Sequence, residues 1–310
     1  MKQLLLLLAL AGILSLGSAI FTFISPQPVA LQHLLETGEC SRCELEGASI
    51  QGLNLHFSQL QGANLQNIHG KGTSFEGANC YQTQWQKSKL QYADFRVANL
   101  TDASLQNADL MLANLQGAKL KGAHLEHANL QGIKLQAAQI VNGNLQDANL
   151  AYAHLEGANL ANADLTNSRL VGAILTGANL RGAILQKANL EKANLQGANL
   201  QGANLYLTNF KKANLSDTYL GGAFLQQTNL EKAFLERACL ASVECTLKTA
   251  STTSFAKAAT IRGVNFKGAN LKGASFQGIQ GKNIPWETMQ LCNTILPNGV
   301  VSDRDCIRVK

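Results

Sequence analysis

The chain has 310 residues, of which 46% are hydrophobic, 15% charged and 6% aromatic. An ordinary globular protein carries about a quarter charged residues, so the chain can build a core but is poor in the charges an enzyme uses. The net charge of +6 is spread along the chain rather than massed in a tail. That balance argues against mimicry of nucleic acid, which needs a strongly acidic face, and is too diffuse to predict nucleic-acid binding. Leu, Ala, Asn, Gln and Gly dominate, a bias that points to internal repeats.

Residues 1–30 read as an export signal or an N-terminal anchor. Lys2 supplies the positive start, Leu4 to Leu16 the apolar stretch, and Gly17-Ser18-Ala19 a small-residue cleavage site; Ala30 is a weaker one, with Pro28 at its −3 position. The apolar run can also be stretched from Leu4 to Ile24, long enough to span a bilayer, which keeps the uncleaved anchor open. On either reading the bulk of the protein is expected outside the cytoplasm, in a periplasm or thylakoid lumen or secreted. If the segment is retained, it is the membrane contact. Next, Val29 to Glu39 spaces Leu31, Leu34 and Leu35 as a short amphipathic helix does, giving an N-terminal cap at 31–42.

From Leu45 to Leu240 an apolar residue stands at every fifth position. It is Leu in most units, with Ile50, Phe75, Cys80, Trp85, Phe95, Ile140 and Phe210 as substitutes and Gly70 as the one failure. Two residues earlier stands Ala, with Leu53, Ser58, Ile68, Thr73, Ser168 and Thr208 among the exceptions. A step of five turns about 500° on an α-helix, which scatters the leucines around the cylinder. On a flat strand the same step alternates faces. An extended segment puts Ala and Leu on one face, and a corner after each unit lets every such pair point inward. The chain therefore coils. One large and one very small inward residue per unit favour a narrow, four-sided interior of roughly twenty residues per turn, stacked at about 4.8 Å. Gly suits the corner, and the Asn or Asp between Ala and Leu points outward to bond nearby backbone.

Units such as Ala198-Asn199-Leu200-Gln201-Gly202 resemble the A(D/N)LXX repeats of pentapeptide-repeat proteins. The resemblance runs from Cys43 to about Leu240, then from Gly263 to Gly278 in a shifted register. It implies an all-β, right-handed quadrilateral β-helix, here with a short N-terminal capping helix and a non-repeat C-terminal cap. The domains are the main solenoid at 43–240, an irregular break at 241–262, further repeats at 263–280 and a cap at 281–310.

Two stretches depart from the pattern. From Leu53 to Lys89 the coil should persist with bulges, Ile68 making up the volume that Gly70 lacks. An uneven surface there could hold a ligand in a groove, against simple repacking of odd-sized apolar residues. From Ala241 to Ile261 the Ser/Thr cluster at Thr249 to Ser254 reads as a loop or a loosened coil. Phe255 still obeys the rule of fives while Phe266, Leu271 and Phe276 sit one residue late, which implies one extra residue between Phe255 and Phe266.

Seven cysteines in an exported chain suggest disulfides. Cys292 and Cys306 flank a Pro-Asn-Gly turn, and this stretch resembles the terminal cap of exported pentapeptide-repeat proteins, which implies that the two are bonded. Cys40 and Cys43 form a CxxC at the entrance to the first coil, read as a local bracket disulfide; a redox pair is the alternative, without a thioredoxin-like context. Zinc would need two further ligands, and Cys239 with Cys245 lies about ten coils away. Those two either pair with each other or do not. Cys80 is inward and odd.

No catalytic constellation emerges. GxSxG, HExxH and a Rossmann fingerprint are absent, and Gly70 to Ser74, "GKGTS", lacks the upstream glycine of a phosphate loop. His33, His56, His69, His124, His127 and His154 form no cluster at one-coil spacing, so no metal or cofactor is expected. Asp94, Asp102, Asp109 and Asp164 should point out from a convex rod with no pocket to shift their pKa values. One-coil spacing does stack Lys192, Lys212 and Lys232, beside Glu191, Lys211 and Glu231. That column reads as a recognition stripe for an anionic partner or as a solvated, ion-paired face.

The expectation is a non-enzymatic exported solenoid serving as a scaffold or protein-binding rod, its partner unknown, with a possible homodimer through a cap. A shape-based effector or inhibitor is the alternative. Some family members inhibit DNA gyrase by mimicking the duplex, a role this basic, exported chain does not suit. An enzyme built around the 241–261 break is the third reading.

Overall fold

Nearly every described five-residue unit ends in a turn closed by a backbone hydrogen bond, as between the Ala48 N–H and the Leu45 carbonyl at 3.0 Å. The second residue of that turn has positive φ at every fifth position from Arg42 to Arg237, in glycines (Gly47, 69°) and in other residues alike (Val97, 52°; Tyr152, 59°). A type II turn demands this conformation. Glycine adopts it freely, whereas other residues lose on the order of 1–2 kcal/mol there. What holds the non-glycine corners is the next coil: the Val97 N–H donates to the Gln116 carbonyl at 3.0 Å and the Tyr152 N–H to Val171 at 3.0 Å. The corner is thus set by stacking as much as by residue type.

The computed structural model describes residues 29–240, 259–279 and 284–306. Parallel bridges join residues twenty apart, from Glu39↔Gln59 to Tyr219↔Cys239, so four five-residue sides make one coil. The column that starts at Glu39 reaches Cys239 in ten such steps and continues through Ser275 to Ile295. At the usual inter-strand spacing this is a rod roughly 58 Å long.

Inward positions carry the core. Leu at the end of a unit and Ala two residues before it are buried throughout, as Ala198 and Leu200 are. The 53–89 stretch keeps the same twenty-residue bridges without bulges, contrary to the sequence expectation. The reason is compensation inside the coil. A Cβ placed on Gly70 would meet Ile68, Leu90 and Ile50 at 3.0–3.4 Å, so neighbouring side chains already occupy the space of the missing leucine. Phe75 and Phe95, one coil apart, stack at 4.7 Å, and Trp85 meets both edge-on at 5.0 and 5.5 Å.

Among the described residues nine hydroxyl side chains replace Ala at inward positions: Ser58, Thr73, Thr83, Ser88, Ser168, Thr208, Thr218, Thr228 and Thr294, all buried. Each donates to a backbone carbonyl that opens a corner, either in its own coil (Ser58 to Leu55, 2.7 Å) or in the coil below (Thr73 to Ile50, 2.7 Å). A buried hydroxyl is tolerated only when bonded. Here the corner always supplies an acceptor.

The second break is not a one-residue insertion. Phe224 pairs with Thr260, Asn229 with Asn265, Phe234 with Asn270 and Cys239 with Ser275, a spacing of 36 instead of 20. This stretch therefore holds sixteen residues more than one coil (36 − 20), all placed at a single corner, whose closing bond survives as Ala259 N–H to Leu240 carbonyl, 3.0 Å. Sixteen is three units and one residue, which produces the apparent shift by one. Phe255 lies outside the described residues.

At the N-terminus, helix α1 (Val29–Thr37) buries Leu31 and Leu34 against the first coil, while Leu35 is 51% exposed rather than part of the buried face. At the other end the ladder runs past 281, through Asn270↔Gln290 and Ser275↔Ile295. The segment expected as a non-repeat cap thus begins with the last stretch of coil, where Met289, Leu291 and Thr294 are buried. A 3-10 turn (Trp286–Thr288) and a hairpin of β1 (Thr294–Ile295) and β2 (Val301–Ser302) complete it.

Candidate interaction surfaces

Because the core consumes two residues of each five, chemistry is left to the outward one on each side and the two at each corner. The outward Asn caps the corner after it: its Oδ1 accepts the N–H two residues on, as Asn199 does from Gln201 at 3.0 Å. Its amide also donates to the coil below. Asn209 donates to Asn189 (3.0 Å), Asn229 to Asn209 (3.1 Å) and Asn265 to Asn229 (3.1 Å). The last bond spans the sixteen extra residues. These ladders lock the register from outside.

The histidines remain apart. His124 lies 3.3 Å from Glu126, and His154 3.3 Å from Glu156, on opposite sides of the rod. Among the described residues no three His, Cys, Asp or Glu side chains gather as a metal site would need. Asp94 departs from the unshifted behaviour expected of it. Burial raises its pKa, but hydrogen bonds and charge from Arg96 outweigh this and leave the carboxyl below its usual value. The cause is a surface ion pair at 2.7 Å, not a pocket.

Cys40 is bonded to Cys43 (Cα–Cα 5.2 Å) and Cys292 to Cys306 (4.7 Å). Cys239 is disulfide-bonded, and Cys245 lies outside the described residues. Cys80 is a buried free thiol whose pKa burial pushes up.

The lysine column stands where one-coil spacing puts it. The Lys192 N–H bonds the Lys211 carbonyl, Lys212 bonds Glu231, and Lys232 bonds Lys267, each at 2.9 Å. Lys211 pairs with Glu231 at 3.1 Å. That contact, with help from Lys232 and Lys267, holds the Glu231 carboxyl below its usual value. Lys192, Lys212 and Lys232 are exposed and enter no ion pair among the described residues. Sequence reading missed what lies further along the same edge: Tyr92, Leu112 and Tyr152, 52%, 45% and 57% exposed. They could have been found at corner positions spaced by multiples of twenty.

A four-sided coil of pentads with Leu inside and Asn outside defines a class of fold, and the sequence comparison agrees. The pentapeptide-repeat model matches in eight copies, spanning 39–243 without a gap and then 257–280. The chain belongs to the pentapeptide-repeat family, and its fold is a right-handed β-helix solenoid. Among solved structures it is similar to HetL, a pentapeptide repeat protein involved in heterocyst differentiation regulation from Nostoc sp. strain PCC 7120. The identity is 26%, covering 88% of this chain and 97% of HetL, with a TM-score of 0.32. It is also similar to QnrB1, a plasmid-mediated fluoroquinolone resistance protein (21% identity, 58% and 88% covered, TM-score 0.43). A third likeness is to a pentapeptide repeat protein of the Arabidopsis thaliana thylakoid lumen (23% identity, 42% and 70% covered, TM-score 0.20). No curated protein matches the chain.

Proposed function

We propose that the protein is an exported, non-enzymatic solenoid, closed by its N-terminal helix and C-terminal hairpin, that serves as a rigid rod for binding a protein partner. The observation that carries this reading is the unbroken register from Glu39 to Ile295. It dedicates the inward residues to packing and leaves long ladders outside as the variable surface. Three cysteine pairs' worth of sequence (Cys40/Cys43, Cys239/Cys245, Cys292/Cys306) suits an oxidising compartment. Leu4 to Leu16 suits an export signal. A duplex-mimicking role fits less well, because such a surface is acidic and the chain carries +6.

Fractionation with N-terminal sequencing tests the location: a chain beginning after Ala19 or Ala30 in an extracytoplasmic fraction supports it, and a cytoplasmic full-length chain contradicts it. Crosslinking in that compartment, followed by reconstitution with the purified partner, tests the role. If the only crosslinked species is the chain itself, the rod reading loses its content.

A further inference from the structure

One edge of the rod differs from the other three. Like the others it is traced by backbone hydrogen bonds, each corner N–H donating to the carbonyl of the coil above, and what sets it apart is the side chains it carries. The path runs from Gly72 to Gln91, Tyr92 to Met111, Leu112 to Gln131, Gly132 to Ala151, Tyr152 to Val171 and Gly172 to Glu191, then through Lys192, Lys212 and Lys232 to Lys267. Its first half exposes Tyr92, Leu112 and Tyr152, with Met111 and Val171 half-buried beside them and the Lys71 ammonium 5.6 Å over the Tyr92 ring. Its second half is cationic. From 191 to 267 its corner residues are Lys192, Lys211, Lys212, Lys232 and Lys267 with Glu191 and Glu231, a local balance of +3 (five minus two).

We infer that this edge, Tyr92-Leu112-Tyr152 followed by Lys192-Lys212-Lys232, is a docking ridge for an anionic lipid surface. Tyrosines settle at a membrane's polar–apolar boundary with the ring half in each phase. Leu112 and Met111 supply apolar side chains to bury, and lysines near an anionic leaflet are drawn to its headgroups. The shape decides between lipid and protein. A corner is convex, one or two side chains wide, and a rigid protein needs a broad complementary patch of about 800 Å² on each partner. A fluid interface closes around a ridge. A second copy of the chain fits poorly, since parallel edges oppose lysine to lysine and antiparallel edges put lysine against Tyr and Leu. Nucleic acid would leave the apolar half unused.

The test is amine acylation of the full chain, read residue by residue by mass spectrometry. It is run with phosphatidylglycerol–phosphatidylcholine vesicles, with pure phosphatidylcholine vesicles, and with soluble polyglutamate. Lys119 and Lys121, exposed on a different side and on the opposite edge, are internal references. Anionic vesicles should slow acylation of Lys192, Lys212 and Lys232 several-fold against the references, and neutral vesicles should not. This comparison within one molecule holds whether or not the N-terminal segment is retained. Replacing the three lysines with Gln should weaken partition on the order of a hundredfold, each lysine near the surface contributing a factor of about five. Tyr92→Gln/Leu112→Gln/Tyr152→Gln, which alters only exposed side chains, should also reduce the protection of the lysines. Equal acylation with and without anionic vesicles, equal protection of Lys121, or an apolar triple variant that protects as well as the wild type would overturn the proposal. Protection by polyglutamate but not by vesicles would assign the edge to an acidic protein instead. None of these outcomes touches the scaffold reading.

Discussion

The ring of Phe57 lies over Gly77, one coil further along the same corner, in the space where a Cβ on that residue would sit. Leu112 stands in the same relation to Gly132, and Tyr152 to Gly172. At these three corners a large side chain leans along the rod into the space that an absent side chain leaves above it. Glycine at these corners therefore serves two ends, positive φ and clearance, and substitution separates them. At Gly202 (φ 66°) a Cβ meets nothing within 4 Å. Gly202→Ala should cost only the backbone term, about 1 kcal/mol. Gly77→Ala should cost that much and also displace Phe57. Equal urea midpoints for the two variants would show that the overhang carries no energy.

The indole N–H of the buried Trp85 makes a single hydrogen bond. It donates to Thr83 Oγ1, which in turn donates to the Cys80 carbonyl at 2.7 Å. Thr83→Val keeps the volume and strands the indole donor, so we expect a loss of about 1–3 kcal/mol. Thr83→Ser should stay close to the wild type. Urea unfolding followed by tryptophan emission measures both, and a Val variant as stable as the Ser variant would mean that the bond is dispensable.

Asp217 is held below the usual carboxylate range chiefly by hydrogen bonds from Arg237, 2.6 Å away. A depressed folded-state pKa gives a contribution that is complete above the unfolded value, about 3.9, and is lost as pH falls through the folded value. Arg237 is 60% exposed, so solvent screening limits the effect to a few tenths of a kcal/mol. Asp217→Asn should lower stability slightly at pH 7 and flatten the decline below about pH 4. The melting temperature against pH reads this directly, and a parallel decline in both proteins would remove the pair from the account.

The sixteen residues in excess of one coil, between Leu240 and Ala259, should be removable. Deleting 242–257 leaves Ala241 and Ala258 as an ordinary two-residue corner. Cys239→Ser should be carried in both the deleted and the undeleted chain, because Cys239 is disulfide-bonded. Shortening the corner lowers its closure entropy by up to about 2 kcal/mol, so the deletion should melt at or above the undeleted control. A collapse in melting temperature would mean that the extra residues are part of the structure.

How far the sequence carried the fold is clearest at the breaks. The pentad alone implied inward Leu and Ala, outward Asn and four sides, because only a coil satisfies a period of five. It failed at Leu53–Lys89, where odd-sized residues suggested bulges. Volume lost at Gly70 is recovered by side chains from neighbouring positions and coils, a compensation that a one-dimensional pattern does not display. It also failed at 241–258, because counting modulo five cannot tell one inserted residue from sixteen. The lysine column was legible because three identical residues repeat at intervals of twenty. The apolar half of the same edge was not, since Tyr92, Leu112 and Tyr152 differ in type and are interrupted by Gly132. That polar residues accept positive φ at corners is a property of stacking, which local propensity does not contain.

The central claim is that the pentad, not its particular residues, sets which side chains enter the axis. A lysine scan through one unit, Ala198, Asn199, Leu200, Gln201 and Gly202, measures this most directly by thermal melting. Lysine at Ala198 or Leu200, both buried, should abolish the cooperative transition or lower it sharply, since an unpaired charge is forced into the core. Lysine at Asn199 or Gln201 should shift it by only a degree or two, and at Gly202 by little more, as Lys192 and Lys212 already occupy such corners. A uniform response across the five positions, or a tolerant Leu200, would contradict the coil.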